Sequence, residues 1–424
     1  VVRNEAAQRR VVITGMGLLT PVGIGKDAVW KALLEGQSGI APITHFDPSE
    51  IPWKIAGEVK NFDPSKWLGK KEARHMDRFS QLGLIASFLA VEDAHLDLGK
   101  ENPERVGVSV STATGGYCFT GEQMHVFLTR GLTAINPYSA VSVYTGSATS
   151  QISRYLGVKG PSMTLSTGCD AGADAIEYAI DMIRGHTAEV VISGGTEATI
   201  SQFILASFGV VGALSERNHE PERASRPYDK HRDGFVMAEG GAILILEELQ
   251  HALNRRATIY AEVLGAATTC DAYGLTSPEP SGAQGARAIT DALWKSGVAP
   301  DEIDYLNSHG TSTSKGDVAE TRVLKRAFGE LIYKIPCSSI KSMTGHMQGA
   351  SAAVEACVSA LTIRDNILPP TINYEYPDPE CDLDYVPNKA RHRRCDTVLS
   401  NSFSFGGRNT AVVLRRYPMN DEVR

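Results

Sequence analysis

The feature that most constrains this chain is a recurring unit: a short β-branched run, then one or two glycines, then an apolar stretch with helical spacing. Val11-Val12-Ile13 precedes Gly15 and Gly17, Val106–Val110 precedes Gly115-Gly116, and Ala188–Ser193 precedes Gly194-Gly195. Ala242–Leu246 and Ala261–Gly265 come later, then Thr397–Ser402 before Gly406-Gly407, and finally Thr410–Leu414. Each run reads as a buried strand, and the glycines after it as a tight turn. Between them, Met76–Leu96 carries apolar residues at helical spacing. Ala175, Ile176, Ala179, Ile180 and Ile183 form one stripe, and Ala352–Ile363 is apolar almost all round, the pattern of a buried helix. Strands alternating with helices predict an α/β architecture with covered sheets. Such units occur in both halves, and Thr258–Val263 echoes Val11–Ile13, which predicts two pseudo-duplicated halves, 1–257 and 258–424.

Composition removes several function classes. A net charge of −7 argues against general nucleic-acid binding, which favours a basic domain. No apolar run approaches the roughly 20 residues that span a bilayer, and Val1–Arg10 has no apolar core of the kind a leader carries. No membrane association and a cytoplasmic location are the resulting expectations. The seven cysteines are dispersed, with no CxxC pair, so neither a zinc ribbon nor a redox pair is expected, and no metal site. Dispersed cysteines fit a reducing compartment, where most are small buried apolar residues.

Four segments carry chemistry. In Met163–Asp174 a short strand runs into Gly168, Cys169 and then a helix, which puts a thiol where the helix dipole favours a thiolate and backbone N–H groups can hold an oxyanion. Alkylation of Cys169 ahead of the other six cysteines follows. Asp170 opposes this, since a neighbouring carboxylate disfavours a thiolate. The bland alternative is a small buried residue at a sharp turn. In Tyr305–Asp317 a strand ends in His309, followed by Gly310 and hydroxyl residues, although a lone histidine is more often a structural hydrogen bonder. In Ser338–Ala350, Lys341 and His346 sit on a glycine-bearing loop that enters the buried helix; a lysine there needs a carboxylate, and Glu355 is the candidate. The fourth segment is Asn401–Asn409, with Phe403, Phe405 and Gly406-Gly407.

Together, from Val11 to Arg415 and in this order, the segments resemble the β-ketoacyl-acyl carrier protein synthases of the thiolase-like superfamily. That resemblance implies a layered α-β-α-β-α fold and a decarboxylative Claisen condensation. It implies that Cys169 holds the acyl chain as a thioester. His309 and His346 would hold the malonyl thioester and assist loss of its carboxylate. The N–H groups of Cys169 and Phe405 would form the oxyanion hole, Phe405 would gate the chain, and Lys341 with Glu355 would organise the site. Thr311 and Thr313 match positions that hydrogen-bond the phosphopantetheine arm, Thr276 and Phe403 are further substrate-binding candidates, and Thr114 and Ser139 match positions beside the acyl-tail pocket. Lys70, Lys71 and Arg74 match the region where an acidic acyl carrier protein docks; on composition alone they are a solvated helix start. No bound cofactor is implied, only substrates on carrier protein.

Within the family, Ser166–Cys169 with Asp174, and Pro379–Pro387, look like the ketosynthase subunit of type II polyketide systems. Lys230-His231-Arg232 and Leu275–Pro278 look like fatty-acid elongating synthases. Asp170, Gly274, Thr114 and Ser139 depart from the usual residues, and the balance leans towards a polyketide or polyene synthase. A dimer is implied, either a homodimer or a heterodimer with a chain-length factor lacking the cysteine. A thiolase and a non-catalytic chain-length subunit are the competing readings, and the intact Cys169, His309 and His346 speak against the second.

Overall fold

The computed structural model describes residues 9–417. Its frame is ten strands: β1 (Val11–Thr20), β2 (Val106–Ser111), β3 (Ser162–Met163), β4 (Val190–Glu197), β5 (Gly240–Glu248), β6 (Ala261–Cys270), β7 (Tyr305–Asn307), β8 (Cys337–Ser338), β9 (Thr397–Ser404) and β10 (Arg408–Arg415). The first five lie in the order β3-β2-β4-β5-β1 and the second five in the order β8-β7-β9-β10-β6. The third, second and fourth strands of each set pair in parallel, and the fifth pairs antiparallel with both the fourth and the first. One topology therefore occurs twice in the chain. The arrays are not separate sheets: Val11–Ile13 of β1 pairs with Ala261–Val263 of β6, so hydrogen bonding runs through all ten strands.

Helices cover the arrays. Between them lie α3 (Ala171–Arg184) and α6 (Ser351–Asp365), which share a core with the inner faces of both arrays: Ile176, Ile180, Val354 and Val358 pack with Leu244, Val263, Val398 and Val412. Outside the first array lies α1 (Arg78–Asp93), with Phe79, Leu82 and Ile85 against Val108, Ile192 and Ile243. Outside the second lie α4 (Ala283–Ser296) and α5 (Gly316–Phe328), whose Ile289, Leu293 and Leu324 pack on Leu306, Leu399 and Val413. The layering is the expected α-β-α-β-α. Every residue from Ser351 to Ile363 is buried, including Ser351, Glu355, Ser359 and Thr362, which explains why that segment is so nearly apolar. The exposed α2 (Tyr117–Arg130) buries none of its residues within the chain.

Two predicted turns are absent. β1 continues through Gly15 and Gly17 to Thr20, and β4 through Gly194 and Gly195 to Glu197. The glycines serve close approach instead. A Cβ on Gly17 would overlap the carbonyl oxygen of Ala86 on α1, and one on Gly195 that of Gly349. The Gly406-Gly407 turn is as expected, since both residues have positive φ and close the β9–β10 hairpin. Gly17→Ala should therefore cost about 1–3 kcal/mol by overpacking, read as a lower urea midpoint, with activity per folded molecule kept. An unchanged midpoint would mean that α1 is not locked to β1.

Candidate active site

Cys169 sits at the end of an irregular segment after β3, one residue before Asp170, the N-cap of α3. Gly168 has φ +98°, and a side chain there would strike the Ser404 hydroxyl, so the turn requires glycine. The thiol is buried and donates to Gln348 Oε1 at 3.1 Å, while the Cys169 N–H donates to Ser404 Oγ at 2.9 Å. Burial, and after it the Asp170 charge, push the thiol up to about 12 against the opposing pull of Lys341. At a site removed from water, desolvation thus outweighs the helix dipole, and Asp170 opposes a thiolate as the sequence suggests. Asp170 accepts from Thr410 Oγ1 at 3.1 Å and lies 3.3 Å from Arg408 Nε. Arg408 also pairs with Asp174, so the two carboxylates under α3 share one guanidinium.

His309 follows β7 and is fixed from behind. Its N–H donates to Glu320 Oε1 at 2.7 Å, and Lys341 Nζ donates to its carbonyl oxygen at 2.7 Å while lying 3.3 Å from its Nδ1. Lys341 is paired with Glu355, both 1% exposed, and burial pushes Glu355 up to about 7 against the pull of Lys341. His346 sets its Nδ1 3.0 Å from Ser351 Oγ at the start of α6, and its N–H donates to Val236 O. The rings stand perpendicular, 5.4 Å apart. Burial first, and Lys341 second, hold both imidazoles well below their ordinary range, so both are neutral near pH 7. With Nδ1 of His309 facing an ammonium, its ring proton belongs on Nε2.

These groups open on one cavity of about 310 Å³, lined by Cys169, His309, His346, Gln348, Thr276, Thr311, Thr313, Phe403 and Phe405. Thr311 and Thr313 set their hydroxyls 3.0 Å apart. Phe405 stands at the mouth, 42% exposed and stacked on Phe208; Phe208 meets Phe235 edge-on, and Phe235 meets His346, so aromatic rings run from the surface to the centre. Lys341 and Glu355 lie behind this wall. Thr114 and Ser139 do not line the cavity: Thr114 donates to Glu197 and Ser139 to Asn136 O. Lys70 and Lys71 lie on the short helix Lys70–Ala73, with Arg74 as its C-cap, also away from the cavity lining.

Comparison with known proteins settles what this arrangement belongs to. Residues 8–252 match the model for "Beta-ketoacyl synthase, N-terminal domain" and residues 260–375 the model for "Beta-ketoacyl synthase, C-terminal domain". The chain belongs to the β-ketoacyl synthase family. It is 45% identical over 410 residues to 3-oxoacyl-(acyl-carrier-protein) synthase 2 of Synechocystis sp., covering 97% of this chain and 99% of that one. The synthase of the same description from Coxiella burnetii is 45% identical over 409 residues, covering 96% and 99%. Among solved structures, the ishigamide ketosynthase/chain length factor superposes with a TM-score of 0.91 at 34% identity, covering 97% of this chain and all of that chain. A type II PKS acyl-carrier protein in complex with its ketosynthase bound to the hexaketide gives a TM-score of 0.90 at 33%, covering 97% and 100%.

For this β-ketoacyl synthase, sequence reasoning missed four residues. Gln348 touches the thiol; it lay inside a quoted segment, two places after His346, and its positive φ of 46° marks it. Glu320 accepts the N–H groups of His309 and Gly310, and Glu197 those of Ala113, Thr114 and Gly349, so two buried carboxylates pin the loops around the site. Only burial reveals them. Ser404 caps the Cys169 N–H. Cys270 is exposed and Cys169 buried, so access weighs against Cys169 being the first cysteine alkylated.

Neutral histidines make a pH prediction. A group held below its ordinary value stays uncharged until the pH falls past the lowered value, so the ¹⁵N ring signals of His309 and His346 should not titrate between pH 8 and about 6.5. His251, paired with Glu247 and Glu101 and raised to about 9, should be protonated across that window. A midpoint inside it for either active-site ring would contradict the geometry.

Proposed function

We propose that this chain is an acyltransferase that performs a decarboxylative Claisen condensation on carrier-protein thioesters. The observation that carries the reading is the placing of one thiol and two neutral imidazoles around a single cavity. In the first half-reaction Cys169 Sγ attacks the thioester carbonyl, and the carrier thiol leaves with the proton that Cys169 gives up. In the second, N–H donors on neutral rings hold the malonyl thioester carbonyl; neutral imidazole donates without first needing protonation. The carboxylate then departs as carbon dioxide, and the enolate carbon attacks the acyl-Cys169 carbonyl. The oxyanion formed in each step is held by the N–H groups of Cys169 and Phe405, and Cys169 leaves as a thiolate that regains its proton from solvent. Thr311, Thr313 and Thr276 on the cavity wall suit the phosphopantetheine arm. The enzyme needs no cofactor of its own under this scheme.

The pathway has two readings. The ketosynthase subunit of a type II polyketide or polyene system is supported by the structural neighbours of that class. The fatty-acid elongating synthase is supported by the higher identity, 45%, to the curated synthases. Thr114 and Ser139, whose small size favoured the first, do not line the cavity within one chain. We infer a dimer in either case, because among the described residues β3 ends the sheet with one edge unpaired, and Met124, Phe127, Leu128, Leu132 and Val141 are exposed. A homodimer fits the second reading and a partner lacking the cysteine fits the first. The repeated strand order supports halves meeting near residue 257, and no described helix is long and apolar enough to cross a membrane. A cytoplasmic location fits both readings.

Cys169→Ala should abolish condensation. His309→Ala and His346→Ala should still accept an acyl group but lose carbon dioxide release from malonyl-carrier protein by on the order of 100- to 1000-fold. Release at the parent rate would remove that histidine from the mechanism. Reversing the charges of Lys71 and Arg74 should raise KM for carrier-protein substrates, weaken its salt dependence, and spare small pantetheine thioesters. Equal loss with both substrate types would make the patch structural.

A further inference from the structure

Ser404 is the last residue of β9, directly before Phe405, and its hydroxyl is held on three sides. It accepts from the Cys169 N–H at 2.9 Å and donates to Thr167 O at 3.3 Å. On the third side lies Gly168, whose missing side chain leaves the space that the oxygen fills. The N–H it occupies is one of the two donors assigned above to the oxyanion. The other, the N–H of Phe405, belongs to the peptide bond that joins Ser404 to Phe405. One residue thus bears on both donors, its side chain filling the first and its peptide carrying the second.

We propose that Ser404 is a positioning residue that holds the oxyanion hole of the resting enzyme closed, so that an acyl carbonyl must displace its hydroxyl before Cys169 is acylated. An oxygen already bound at 2.9 Å and an incoming carbonyl oxygen compete for the same hydrogen. Displacement needs only rotation of the serine side chain or a shift of the turn that follows, and Gly406 and Gly407, both at positive φ, form that turn. Acylation is thereby tied to movement of the segment that carries Phe405 at the cavity mouth. The step itself is the ordinary one: a carbon–sulfur bond forms to Cys169, the bond to the donor sulfur breaks, and the donor thiol carries the proton away.

The inference rests on the proposed role of Cys169, and its test separates the two. Acylation of Cys169 by an acyl-carrier protein makes an oxyanion, whereas alkylation by iodoacetamide displaces iodide and makes none. Both are followed by mass spectrometry of the peptide containing Cys169 in the parent, Ser404→Ala, Ser404→Gly and Ser404→Thr. Freeing the N–H removes one neutral hydrogen bond from the resting state, so Ser404→Ala and Ser404→Gly should acylate about five- to tenfold faster. Alkylation should be unchanged, and Ser404→Thr, which keeps the hydroxyl, should retain the slow acylation. Acylation that is equal or slower in both the alanine and glycine variants overturns the plug. An equal rise in acylation and alkylation also overturns it, since that reports general access. If the parent is never acylated at Cys169, the functional reading fails instead.

Discussion

The site depends on one buried ion pair. Lys341 and Glu355 are both withdrawn from water at the centre of the molecule, where an unpaired charge is costly; removing one partner of such a pair typically costs about 3–5 kcal/mol. The pair spans the turn before His346 and the buried helix α6, and the ammonium reaches on to the carbonyl and ring of His309. A single cation thereby ties both histidine-bearing loops to the core. It also disfavours protonation of both rings, which keeps them neutral hydrogen-bond donors. Replacing the pair with apolar residues could preserve stability, but it would release His309 from its orientation.

Around that pair, the duplicated topology brings the thiol and the histidines together. α3 and α6 each follow the third strand of their own array, and they pack against each other between the arrays. Gly172 permits this approach, since a Cβ there would crowd Ala353, while Gly349 before α6 makes room for the loop after β2, where a Cβ would overlap Ala113. Cys169 before α3 and His346 before α6 therefore meet at adjoining helix starts. His309 comes from the end of β7, the second strand of the second array. The thiol of Cys169 thus comes from one array and both histidines from the other, a division that follows from the fold.

Much of this was legible in the sequence, for identifiable reasons. Strand cores such as Val11–Ile13 and Val190–Ile192 are wholly β-branched, and the almost wholly apolar run at 352–363 had to be buried. Cys169, His309, His346 and the Lys341–Glu355 pair lie in segments whose glycines mark their special backbone. Close approach was not legible: Gly15, Gly17, Gly194 and Gly195 read as turns because a glycine needed for packing and one needed for a turn are the same letter. Glu197 and Glu320 were invisible because only tertiary structure shows what a buried carboxylate accepts. The weight of desolvation on the thiol was hidden for a related reason. A helix start can be inferred locally, whereas the desolvation that overrides it comes from distant chain segments.

The central claim is that Cys169 carries the acyl chain and exchanges it for a new carbon–carbon bond as carbon dioxide leaves. Intact-protein and peptide mass spectrometry tests it most directly, during incubation first with an acyl-carrier protein and then with malonyl-carrier protein. The account predicts one acyl mass on the peptide containing Cys169, then its discharge with one carbon dioxide released per acyl group lost. Acyl mass on another cysteine, or discharge without carbon dioxide, would contradict it.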